Sequence, residues 1–168
     1  MIRQARCIWP RRGAVPLLLA ALCLGACDGV AEQEEFRNQA FVAPSGITQT
    51  DQSGTVLSRD EDDWRVSPIY FERVVIDPAF PNPVPAGATV SIPIRVRLTD
   101  SVQGGLDLVS YDINRIPRLL DRVRDARNPG AYVFRFDPAV IGLTGIIRVY
   151  IIDSAGGLVS YGDLQVGS

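Results

Sequence analysis

The sequence predicts an all-β domain of two packed antiparallel sheets, and three stretches carry that prediction. Residues 90–98 alternate strictly. Ile92, Ile94, Val96 and Leu98 fall on one face and Pro93, Arg95 and Arg97 on the other, the period of a half-buried strand. Residues 131–137 repeat the pattern, with Tyr132, Phe134 and Phe136 facing a core and Arg135 facing water. Residues 146–153 and 158–166 are joined by Ser154-Ala155-Gly156-Gly157, whose glycines permit the positive φ that a hairpin needs.

The remaining elements follow in chain order. Residues 70–76 and 106–113 are rich in β-branched and aromatic side chains and bring the predicted strands to six. Residues 116–123 leave two readings open. They can form a seventh strand, or a short helix opened by Pro117, because Ile116, Leu119, Leu120 and Val123 also fall at helical spacing. Pro93 cannot donate to a ladder, which places its strand at a sheet edge or at a bulge. About seven short strands separated by Gly and Pro turns fit an immunoglobulin or fibronectin III-like sandwich over residues 66–168. Upstream, residues 27–65 are rich in Gln, Glu, Ser, Thr and Gly and show no sustained period. They read as a flexible, disordered tether with an r.m.s. reach of about 30–35 Å.

The first residues have the build of an export signal. Arg3, Arg6, Arg11 and Arg12 precede an apolar run over 14–24, followed by small residues. That run is too short for a spanning helix, which needs about 20 apolar residues. Leu24-Gly25-Ala26-Cys27 resembles the lipobox of bacterial lipoproteins. The resemblance implies removal of residues 1–26, fatty acylation of Cys27, and a membrane partner reached through the lipid. The acids that follow, Asp28, Glu32, Glu34 and Glu35, resemble the surface-export signal of Bacteroidetes lipoproteins, while Asp28 alone, directly after the cysteine, resembles the inner-membrane retention signal of enterobacteria; a plain solvated linker is the competing reading. The expected location is the bacterial cell envelope, the outer membrane preferred over the inner.

A second resemblance runs through Phe80-Pro81-Asn82-Pro83, the strand over 89–98, Leu108-Val109-Ser110-Tyr111-Asp112 and Pro129-Gly130-Ala131-Tyr132. This order is similar to the immunoglobulin-like C-terminal domains of exported bacterial proteins, of the type IX sorting and flagellar hook-cap types. Where those domains follow Tyr-Asp with Gly-Arg, this chain has Ile113-Asn114-Arg115, and their basic C-terminal residues are missing. The resemblance therefore implies the fold and not the sorting role.

Composition removes most catalytic chemistry. The chain has no His and no Lys, so all 17 basic residues are arginine. The commonest general base, the commonest neutral metal ligand, the Schiff-base amine and the phosphate-loop lysine are all missing. Cys7 and Cys23 precede the predicted cut and Cys27 would carry lipid, which leaves no thiol nucleophile and no disulfide. No enzyme and no cofactor is expected. The net charge of −2 becomes more negative once the four leader arginines are gone, which argues against nucleic acid.

What remains is binding. Asp60, Asp62 and Asp63 are calcium candidates, set against a plain solvated charge run, because acids in sequence lack the spacing of an EF-hand loop. Trp64, Tyr111 and Tyr161 are the aromatics to test for a solute or glycan site, with core packing as the competing reading. Arg115, Arg118, Arg122, Arg124 and Arg127 crowd one stretch and offer either an anionic contact or a solvated face. Asp107 and Asp112 are the one carboxylate pair considered for acid–base chemistry. The function expected is a non-catalytic binding or structural accessory role toward another envelope protein or polymer. The alternative is a lipoprotein that binds a glycan or small solute.

Overall fold

A computed structural model describes residues 29–167. The residues form a helix, α1 (29–40), and nine strands: β1 (Gln49–Thr50), β2 (Val56–Ser58), β3 (Val74–Ile76), β4 (Val90–Val96), β5 (Leu106–Tyr111), β6 (Pro117–Val123), β7 (Gly130–Phe136), β8 (Gly145–Asp153) and β9 (Leu158–Val166). Strands β3-β4-β7 form one sheet and β6-β5-β8-β9 the other, all neighbours antiparallel, while β1 and β2 make a separate hairpin. This three-plus-four order is the immunoglobulin or fibronectin III-like sandwich that the strand pattern predicts. Segment 116–123, open between helix and strand, forms the strand β6 over Pro117–Val123, and residues 124–127 lie beyond it outside any helix or strand.

The core lies between the two sheets. Val90, Ile92, Ile94 and Val96 of β4 and Phe134 and Phe136 of β7 meet Leu106 and Leu108 of β5, Val149 and Ile151 of β8, and Leu164 of β9. Period-2 alternation puts these side chains inward, and full burial of each contributes about 1.5–3 kcal/mol. The strand expected over 70–76 is confined to Val74–Ile76, with Tyr70 in a 3-10 turn, and two expectations about β4 change. β4 is the central strand of its sheet rather than an edge, because the missing N–H of Pro93 points past the end of β3, where Asp77 donates to the Pro93 carbonyl at 3.1 Å. Leu98 lies beyond the end of β4 and is exposed.

The expectation of a flexible tether over 27–65 is corrected from residue 29 onward. Helix α1 presents a narrow stripe, Gln33, Phe36 and Ala40, to the outer face of the four-stranded sheet. Phe36 and Ala40 pack with Val109, Tyr150 and Tyr161 in a second cluster outside the sandwich. Further along, Thr48, Thr50, Asp63 and Trp64 are buried. The Trp64 N–H donates to Tyr161 O at 2.9 Å and its indole lies against Gly162, where a Cβ would collide with the ring. The segment therefore belongs to the folded body of the protein. Its polar composition conceals this, because only a few of its side chains are apolar and they dock against partners about a hundred residues away in sequence.

Candidate functional site

The outer face of the four-stranded sheet is organised by Arg148. On β8, Arg148 and Tyr150 alternate outward while Val149 and Ile151 alternate inward. Arg148 is in register with Asp163 of β9 and grips it with two charge-assisted bonds of 2.6 Å, from Nε and from Nη2. Nη1 donates to the carbonyls of Gln39 at 3.2 Å, Ala40 at 3.3 Å and Val42 at 2.7 Å. These are terminal acceptors of α1 and the residue just beyond it, where a cation is stabilised by the helix dipole. The guanidinium also sits over the Tyr161 ring, 4.9 Å from its centroid. The Tyr150 hydroxyl adds a bond of 3.1 Å to the Ala40 carbonyl. One arginine thus fixes the end of the helix and with it the start of the loop over 41–44.

A second buried acid completes the network. Asp63 accepts from the Thr48 N–H at 2.7 Å and from the Asp163 N–H at 2.9 Å. Burial pushes its carboxyl up to about 7, against the two N–H donors that pull it down, with the Asp163 charge adding to the rise. Burial likewise raises the Asp163 carboxyl, opposed by the Arg148 fork. Asn82 bridges the same region, donating to Thr48 O at 2.8 Å and Asp163 O at 3.0 Å while accepting from Gln165 N–H at 3.0 Å.

Where the helix ends, a groove of about 810 Å³ opens between the loop over 41–44, the β5–β6 turn and the start of β8. Its floor is aromatic. Phe41 stacks on Tyr150 with centroids 5.3 Å apart and 23° between planes, and Tyr111 meets Tyr150 edge-on at 4.9 Å. Its rim sets apolar side chains in water beside the charged Asp112 and Arg115: Ile113 is 99% exposed, and Val42 and Ile146 are exposed with it. Asp112 accepts from the Asn114 and Ile116 N–H groups at 2.8 Å each, which shapes the turn that lifts Ile113 into solvent. Exposed apolar side chains gathered around a groove are a feature of contact surfaces and ligand-binding grooves.

Neither a family model, nor a curated protein, nor a solved structure matches the chain. The geometry therefore stands on its own.

Cys27 and the motif Leu24, Gly25 and Ala26 lie outside the described residues. Of the aromatics singled out, only Tyr111 reaches the groove; Trp64 and Tyr161 are buried, with Trp64 Nε1 and Tyr161 Oη lacking a hydrogen-bond partner. Among the described residues no group of three or more His, Cys, Asp or Glu is placed to hold a metal. Of the calcium candidates, Asp63 accepts from two backbone N–H groups, Asp62 lies 3.8 Å from Arg148, and the Asp60 carboxylate accepts from the Asp62 N–H at 3.5 Å. Asp107 and Asp112 do not converge. Asp107 is forked by Arg122 at 2.6 and 2.7 Å, and Asp112 sits at the far end of β5 in its turn.

The arginine stretch divides as well. Arg122 pairs with Asp107 and Arg127 with Asp125, both at the surface, while Arg115 lines the groove. Sequence reasoning missed Phe41, Tyr150 and Arg148. The signal available was the run Ile146 to Ile152, in which an arginine and a tyrosine occupy alternate positions of a strand otherwise made of Ile and Val. Such residues on one face of a strand need a polar covering, and here it is α1.

Proposed function

We propose that the protein is a lipid-anchored protein of the bacterial cell envelope, held by an acylated Cys27 after loss of residues 1–26, with a non-catalytic accessory role. Its groove recognises another envelope protein through apolar side chains of that partner. The observation that carries the reading is the open apolar rim of Val42, Ile113 and Ile146 over the Phe41–Tyr150–Tyr111 floor. The lipobox-like motif supports the anchor, and two or more acyl chains would make it firm where one would be marginal. The outer membrane is the preferred location.

Intact mass of the protein purified from native membranes tests the anchor, with acyl mass on an amino-terminal Cys27 expected and an unprocessed amino terminus contradicting it. Proximity labelling in the native cell tests the groove: a neighbour marked by the wild type and lost with Ile113→Ser supports it, and identical neighbours contradict it. A second reading, a glycan or small solute in the same groove, is favoured by the flat, half-exposed Phe41 ring stacked on Tyr150. A glycan array answers it, since binding must appear with the wild type and fall with Phe41→Ser.

A further inference from the structure

Helix α1 joins two poles of the molecule. Its C-terminal end is clamped by Arg148 at the groove. Its N-terminal half lies toward the β8–β9 turn, where Gln33 accepts from the Ser67 hydroxyl at 2.8 Å; a cleft runs along the helix from Ile69, Gly156 and Gly157 at this end to Phe41, Tyr111 and Tyr150 of the groove floor. Twelve helical residues at 1.5 Å each set the two ends about 18 Å apart.

The N-terminal pole exposes three large apolar side chains, Val30, Ile69 and Phe71. Pro68–Tyr70 form a 3-10 turn there, pinned inward by the Tyr70 hydroxyl, which donates to Asp153 at 2.9 Å. With Tyr70 turned in, its neighbours turn out: Ile69 is 54% and Phe71 69% exposed. Val30, 70% exposed, lies three residues before Gln33 on the same helix face, one turn further toward the entering chain. Charges near these residues in the chain or lining the clefts beside them are mixed, Glu32, Glu34, Glu35 and Glu72 against Arg37, Arg65, Arg73 and Arg97. A patch of this kind suits an uncharged lipid surface better than an anionic one.

The covalent chain says what covers it. Cys27 is two residues ahead of Gly29, and two residues span at most about 7 Å. Resting on the lipid anchor of the proposed function, we infer that Val30, Ile69 and Phe71 form a seat on the bilayer that carries the Cys27 acyl chains, with α1 as a strut that holds the groove facing away from the membrane. The flexible reach read from the sequence is replaced by a short, oriented stalk. The bilayer end and the binding end are then fixed by one helix.

Acylated Cys27 is blocked, and no cysteine follows it, so a single introduced thiol is uniquely addressable in the mature protein. Phe71 and Ile113 are both exposed, so Phe71→Cys and Ile113→Cys each place the thiol at the surface. Each is labelled with an environment-sensitive nitrobenzoxadiazole dye in the acylated protein, reconstituted in phosphatidylcholine vesicles containing nitroxide-labelled lipid. The label at 71 is expected to shift to the blue and lose most of its fluorescence, and the label at 113 to stay bright. Equal quenching at the two sites, stronger quenching at 113, or none at either overturns the seat, even where the sample's mass confirms the acyl chains. Absence of acyl mass overturns the anchor and the seat together. A blue shift at 71 that grows with protein concentration in detergent-solubilised protein without vesicles identifies a second copy on this pole and also overturns the bilayer assignment.

Discussion

The two faces of the four-stranded sheet are built on different physics, although the same strands supply both. Toward the sandwich, Leu106, Leu108, Val149, Ile151 and Leu164 meet the facing sheet through non-directional apolar contact. Away from it, Val109, Arg148, Tyr150, Tyr161 and Asp163 receive α1 through a small apolar cluster and a set of directed bonds. The inner face tolerates conservative apolar exchange, and the outer face depends on every charge having its partner. Folding of the sandwich and docking of the helix are therefore separable, and each can be struck on its own.

The largest effect is expected on the inner face. Phe134 is fully buried at the centre of the core, so Phe134→Ala should cost about 3–5 kcal/mol in denaturant unfolding. A loss under about 1 kcal/mol would mean that the inter-sheet core does not carry the fold. On the outer face, Arg148→Met keeps volume but leaves Asp163 buried without its cation and the end of α1 uncapped. About 3 kcal/mol is expected, together with faster amide exchange confined to residues 29–42. Adding Asp163→Leu should restore most of the loss in stability, because it is the orphaned charge that costs, not the absence of the pair. If the double variant were no more stable than Arg148→Met, the directed-bond account of the outer face would be wrong.

The same network makes the outer face sensitive to pH. Folded, Asp63 keeps its proton up to about pH 7, whereas in the unfolded chain it releases it near the ordinary value of 3.8. The folded state then binds more protons between these limits. Its stabilisation is full below about pH 3.8 and is lost as pH rises through 7, with a slope of at most about 1.4 kcal/mol per pH unit. The rise at Asp163 acts in the same direction. Denaturation midpoints measured across this window should show the slope, and Asp63→Asn should flatten it even though the amide sets an N–H against one of two N–H donors and lowers stability overall. An unchanged slope would place the titration elsewhere.

How much of this was legible beforehand follows the same division. Alternation at Ile92, Ile94 and Val96 and at Phe134 and Phe136 marked the inner face directly, because a sheet core writes its period into a short stretch of chain. The outer face has no such record. Phe36 and Ala40 are two apolar residues in a run of Gln and Glu, and the cation that caps their helix is Arg148, more than a hundred positions later. The acids at 60–63 were read as a solvated run or a calcium loop, yet Asp63 bonds Asp163 exactly one hundred positions away, a pairing that only the fold creates. Tyr111 is one of three aromatics that the sequence offers for a solute site, and the fold brings it to the groove while burying Trp64 and Tyr161. The partners of Tyr111, Phe41 and Tyr150, could not be named, since the groove exists only once α1 is docked.

The smallest expected change in stability is at the rim, and it sharpens the comparison most. Ile113 touches almost nothing in the folded protein and its turn is held by Asp112 through backbone N–H groups, so Ile113→Ser should leave unfolding within about 0.5 kcal/mol of the wild type. Under the proposed function, a side chain that contributes nothing to folding and stands fully in water at the lip of an aromatic groove would have its use in association. Loss of the neighbour in proximity labelling, with the unfolding curve unmoved, assigns the rim to binding. Retention of the neighbour would move the contact surface off the groove and leave the outer face of the sheet with one task, to hold the helix.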